Sequence, residues 1–131
     1  MVFRRIISIT VFCIYIAAVA YLCFAKPDDV PQLPDIWLGL PADKVAHFLM
    51  FLPFPFLGYL VFVTERLNTW KNLLLIAALI VVGLAAAIAT EQVQALLAYR
   101  SAETEDMGAD GVGLLCGGVL TVIYTLIRRR K

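Results

Sequence analysis

Four apolar runs, each close to the roughly 20 residues a helix needs to cross a bilayer, constrain this chain more than any other feature. They fall at about residues 6–25, 44–63, 73–98 and 106–127 of 131. Runs of that length predict an all-α membrane protein, a single four-transmembrane-helix bundle over residues 1–131. Composition agrees: 62% of residues are hydrophobic and 16% charged, against about half and a quarter in a soluble domain. A net charge of +1 leaves no basic surface for nucleic acid. Cys13, Cys23 and Cys116 all sit inside apolar runs with no metal-binding spacing, so they read as packing residues rather than a disulfide framework. No internal repeat or low-complexity segment interrupts the pattern.

Arg4 and Arg5 precede the first run, and Ala18-Val19-Ala20 offers a signal-peptidase motif within it. The run is long and rich in Ile, Tyr and Phe, which favours a retained membrane anchor over a cleaved leader. Bulky Leu22 before Cys23 argues against a lipoprotein. Pro27, Pro31, Pro34 and Pro41 make residues 26–41 a loop, since each proline lacks a backbone donor. Trp37 in that loop suits a membrane interface. Pro53 and Pro55 are expected to kink the second span, and residues 64–72 form a short turn.

Positive charge sets orientation, because Lys and Arg concentrate on the cytoplasmic side. With both termini cytoplasmic, the inner flanks hold Arg4, Arg5, Arg66, Lys71, Arg128, Arg129, Arg130 and Lys131, eight of the eleven basic residues. The outer side keeps Lys26, Lys44 and Arg100 with every acid except Glu65. The expected protein is multi-pass, with both ends cytoplasmic.

A depth argument then singles out three residues. Counted from inner ends at Val63, Leu73 and Ile127, His47, Glu91 and Asp110 lie roughly 24, 27 and 26 Å up their helices at 1.5 Å per residue. The hydrocarbon slab is about 30 Å thick. Three spans therefore carry an ionisable group to one level, just under the outer surface. Asp43 and His47 share a helix face, as do Asp106 and Asp110, each pair being four apart. Gln94 lies three beyond Glu91. Gly83, Ala87, Thr90, Gln94 and Ala98 trace one stripe of small or polar residues, and Asp106, Asp110, Gly113 and Gly117 another. Small-xxx-small spacing, as at Gly113 and Gly117, lets helices pack closely. The polar groups are thus expected to face the bundle interior, with Asp43 or Glu91 pairing with His47 and Arg100 reaching Asp106 or Glu103.

Asp43-Lys44-Val45-Ala46-His47-Phe48, then Glu91-x-x-Gln94, then Arg100-Ser101 with Asp106 and Gly113 downstream, resembles the VanZ-like family of small bacterial membrane proteins. The resemblance spans residues 41–118, and the first span fits the family's four-helix plan. Asp110 departs from the asparagine usual in the family. The resemblance implies a multi-pass cell-envelope protein of a bacterial inner (cytoplasmic) membrane, with a role like that of the family's namesake, which is linked to low-level teicoplanin resistance.

The leading expectation is a non-catalytic protein that binds an amphiphile at the outer leaflet, such as a lipid-linked envelope precursor or a lipoglycopeptide. Its polar cluster would comprise Asp43, Lys44, His47, Glu91, Gln94, Arg100, Asp106 and Asp110. A membrane-embedded enzyme is the alternative, with His47, Glu91 and Asp106 as catalytic candidates and Arg100 holding a phosphate or carboxylate. A proton-coupled transporter or flippase component is a third, because histidine moves protons near neutral pH. An interhelical hydrogen-bond network is the plain structural account. His47, Glu91, Asp106 and Asp110 offer one nitrogen and three carboxylates to a metal. Without HExxH or a second histidine, however, the sequence assigns neither metal nor cofactor.

Overall fold

The structure, a computed structural model, describes residues 2–63 and 67–129. The basic residues expected at Arg66, Arg130 and Lys131 lie outside them. Among the described residues, four helical segments are long and apolar enough to cross a membrane: Val2–Phe24, Ala42–Phe62, Thr69–Leu96 and Thr104–Arg129. These helices match the expected apolar runs in number and order, with ends displaced by up to four residues.

Helix α1 (Val2–Phe24) is peripheral, with Cys23 as its one buried residue. It leans on the second span through Phe12, whose ring centroid is 5.7 Å from that of Phe54, and through Tyr15, whose hydroxyl donates to the Met50 carbonyl. The loop that follows holds a single 3-10 turn at Pro27–Asp29 and a minimal hairpin, β1 (Ile36–Trp37) against β2 (Leu40–Pro41). Leu38 and Gly39 at its tip have φ of 57° and 77°. Positive φ at both central residues is the backbone of the tight turns that match strand twist. A leucine there is strained by about 1–3 kcal/mol.

The second span is broken, as its prolines require. Helix α2 (Ala42–Phe51) ends at Leu52, and α3 (Phe54–Phe62) restarts with Pro53 as its N-cap and a proline in its first turn. Pro55 is buried there. Helix α4 (Thr69–Leu96) begins at Asn68, whose side chain accepts the Lys71 N–H as a cap. Helix α5 (Thr104–Arg129) opens on Glu105 and Asp106 and closes on Arg128 and Arg129, the charge order that suits a helix dipole.

Helix α5 is the centre of the bundle, packing most extensively on α2 and α4 and also on α3. Glycines let it approach. A Cβ at Gly113 would collide with the backbone carbonyl of Phe48, and one at Gly117 with that of Leu52. At Gly83 the obstacle is the side chain of Leu114, itself fully buried with Phe51, Phe54 and Ala87. A second apolar cluster joins Tyr59, Ile76 and Leu79. Outward faces carry exposed Ile14, Val81, Val82, Leu115, Val119 and Leu120, which is how a bundle meets lipid rather than water.

Candidate functional site

Helix α2 packs along α5, so its polar side chains meet those of the first two turns of α5. His47 is the link. Its Nδ1 lies 2.9 Å from Oδ1 of Asp110, and its Nε2 lies 3.4 Å from Oδ2 of Asp106. Asp110 is fully buried and Asp106 nearly so. The spacing of four between the two aspartates sets them one turn apart on a single face of α5, and the imidazole spans that turn.

Helix α4 contributes the third side. Glu91 is 4% exposed, and one of its carboxylate oxygens comes within 4.8 Å of ligand atoms of both His47 and Asp106. Its Oε2 accepts the backbone N–H of Glu103 at 3.1 Å, and its Oε1 has no hydrogen-bond partner. Oδ2 of Asp110 also lacks one. Buried acceptors are normally satisfied; among the described residues these two oxygens, with Oε1 of Gln94, are not.

Nearer the surface, Lys44 anchors the remaining acids. Its Nζ donates to Oε2 of Glu103 at 2.5 Å and to Oδ1 of Asp106 at 2.6 Å. It also lies 3.0 Å from Asp43 and 3.9 Å from Glu105. Asp106 therefore serves both layers, with one oxygen toward Lys44 and the other toward His47.

The expected members divide into two groups. The structure gathers Asp43, Lys44, His47, Glu91, Asp106 and Asp110. It draws Gln94 and Arg100 to α1 instead. Gln94 Nε2 donates to the Cys23 carbonyl at 2.8 Å, and Arg100 donates to the carbonyls of Leu22 and Ala25. The expected pairing of Arg100 with Asp106 or Glu103 is thus corrected: Lys44 takes both acids, and Arg100 caps the last turn of α1, where helix carbonyls lack partners. His47 likewise pairs with the two α5 aspartates rather than Asp43, while Glu91 stands within 4.8 Å of it.

Glu103 was expected only as a partner for Arg100, yet it binds Lys44 by its side chain and Glu91 by its N–H. The available signal was its place three residues before Asp106, at the entrance to α5. At the other end of the bundle, Tyr59 donates to Asn72 at 2.8 Å. These residues join Thr125, Arg128 and Arg129 around a cavity of about 310 Å³. Nothing in the sequence pattern announced it.

Comparison with protein-family models, curated proteins and solved structures finds no match to this chain. Its function is therefore argued from the site.

Proposed function

We propose that this chain is a multi-pass protein of the bacterial inner membrane that binds the positively charged headgroup of an amphiphile in the acidic cluster. Both termini are cytoplasmic in this reading, which puts the cluster in the outer leaflet. One observation carries it: six carboxyl groups, from Asp43, Glu91, Glu103, Glu105, Asp106 and Asp110, crowd around one lysine and one histidine. Ionisable groups at membrane depth are costly, by about 2.5–3.5 kcal/mol each at mid-bilayer and less near the surface. A surplus of one sign persists where a ligand of the other sign offsets it. With Arg100 turned away, the cluster holds no guanidinium for an anion among the described residues, so an ammonium group fits it better than a phosphate. The likeness to the VanZ-like family supports an envelope setting, and a lipoglycopeptide or lipid-linked precursor bearing an amine belongs to the class proposed.

Enzymatic turnover is less well supported. His47 is flanked by carboxylates on both ring nitrogens, and no serine or cysteine stands among the clustered residues as a nucleophile.

The test uses full-length protein in neutral-detergent micelles with excess EDTA. Labelled dodecylamine is expected to bind saturably, dodecyl phosphate not, and Glu91→Gln to weaken the amine about tenfold. Equal uptake of both amphiphiles, or uptake indifferent to Glu91→Gln in folded protein, overturns the reading.

A further inference from the structure

The inner layer of the cluster has features that an ammonium headgroup does not require. His47, Glu91 and Asp106 each present a ligand atom, and the three atoms lie within 4.8 Å of one another. They come from three different helices, α2, α4 and α5, so the group exists only in the assembled bundle. The distance between Nε2 of His47 and Oδ2 of Asp106 is 3.4 Å, beyond the 2.7–3.2 Å usual for an N–H···O bond. It matches the separation of about 3.4 Å between two ligands of a tetrahedral ion with bonds of about 2.1 Å.

The geometry points to a divalent first-row metal site, of the zinc class, formed by His47 Nε2 and the carboxylates of Glu91 and Asp106. Two further observations support it independently of that spacing. Glu91 is more than nine-tenths buried, and its Oε1 has no partner inside the protein. In addition, each ligand is already held from behind. The fully buried carboxylate of Asp110 takes His47 Nδ1 at 2.9 Å, the arrangement that fixes the ring of a metal-binding histidine and leaves its other nitrogen free to coordinate. Glu103 N–H holds Oε2 of Glu91, and Lys44 holds Oδ1 of Asp106 at 2.6 Å.

The donor set selects the class of ion. One imidazole nitrogen with two carboxylates and no sulfur suits zinc, manganese or ferrous iron. Calcium takes six to eight oxygens, more than this group offers. A neighbouring trio, Asp43, Glu103 and Asp106, is a poorer candidate, because Lys44 Nζ already lies within 3.0 Å of an oxygen from each. Three protein ligands leave a tetrahedral ion one position for water or a ligand oxygen. The site shares residues with the proposed headgroup site but stands without any amphiphile.

Zinc alone is the probe. Full-length protein in neutral detergent is stripped with EDTA, equilibrated with zinc chloride, passed through a desalting column and assayed for metal by plasma mass spectrometry. About one zinc per chain is expected, falling at least tenfold in His47→Ala and in Glu91→Gln. Asp110→Asn, which changes the group that holds the imidazole and not one of the three ligands, is expected to weaken binding about 10–100-fold. Asp28→Asn, in the loop after α1, serves as the unaffected control. Circular dichroism and gel filtration report folding, and a cobalt-substituted wild-type protein, with a visible ligand-field band that zinc abolishes, needs no variant at all. Wild-type protein that retains less than a tenth of an equivalent of zinc and gives no cobalt band overturns the site. So does a folded His47→Ala protein that holds zinc as well as the wild type. Because the amine assay is run in EDTA, the metal site and the headgroup reading fail separately.

Discussion

At the scale of single residues, Lys44 decides whether the acidic cluster can exist without a ligand. It is an ammonium among four carboxylates, within 4.0 Å of Asp43, Glu103, Glu105 and Asp106. Removing one partner of a buried pair costs about 3–5 kcal/mol. Here Asp43 and Glu103 are about half exposed, and water offsets part of the loss. Lys44→Ala is therefore expected to destabilise by about 1–3 kcal/mol, read as a lower unfolding midpoint in a denaturing-detergent titration. Lys44→Ala with Asp106→Ala is expected to cost less than the two changes summed, since groups in one network are not additive. A full sum would mean that Lys44 acts elsewhere. The membership of His47, Glu91 and Asp110 was legible in the sequence, because residue count along a helix fixes depth. Their pairings were not. Which oxygen meets which nitrogen depends on rotation about the helix axis and on the α2–α3 break, and a rise per residue carries neither. Arg100 is the plainest case: its chain position put it beside the acids, but the open carbonyls at the end of α1 claim it.

Elements show the reverse balance. Helix number and order, the proline break and the glycine stripe on α5 all follow from composition and spacing, because these features are local. The stripe gives a paired prediction. A methyl group at Gly113 would meet the Phe48 carbonyl, whereas at Gly108 it would meet nothing within 4 Å. Overpacking costs about 1–3 kcal/mol, so Gly113→Ala is expected to lower stability and to weaken zinc retention by moving α2 away from α5. Gly108→Ala, at an exposed helical position, is expected to raise stability by up to about 1 kcal/mol from helix propensity alone. The same detergent titration reads both, and equal effects would deny that α5 is pinned to α2 there. The hairpin was missed altogether. Two-residue strands carry no periodicity, and Leu38-Gly39 is not a usual turn pair. Leu38 is 79% exposed and held at positive φ, so packing within the chain does not explain a leucine. Leu38→Asn is expected to relieve the strain, because asparagine adopts that conformation readily. The titration midpoint of the purified protein should rise slightly, and a fall would show that the leucine makes a contact of its own.

For the whole molecule, the polar cluster and the basic residues Lys71, Arg128 and Arg129 lie toward opposite ends of the bundle. Arg129 bonds to Thr69 and to the Leu67 carbonyl at the start of α4, one full helix length from Glu91 near its end. In the proposed topology, with the basic flanks cytoplasmic, Lys44, His47 and Glu91 fall in the outer leaflet, and the headgroup proposal expects that side to be reachable from outside the cell. Engineered cysteines test it once Cys13, Cys23 and Cys116 are replaced by alanine or serine. A cysteine at Gln32, in the exposed loop before the hairpin, is expected to react with a membrane-impermeant maleimide in intact spheroplasts. One at Thr69, beside Arg129, is expected to react only after permeabilisation. The opposite pattern would turn the acidic end to the cytoplasm, where the amphiphile would have to come from the inner leaflet. Labelling at neither site before lysis would mean that the loop is shielded, and headgroups would then have to enter laterally between α1 and the rest of the bundle. Arg100→Ala distinguishes that last route, because it loosens the end of α1 and would speed lateral entry while leaving access from the outside surface unchanged.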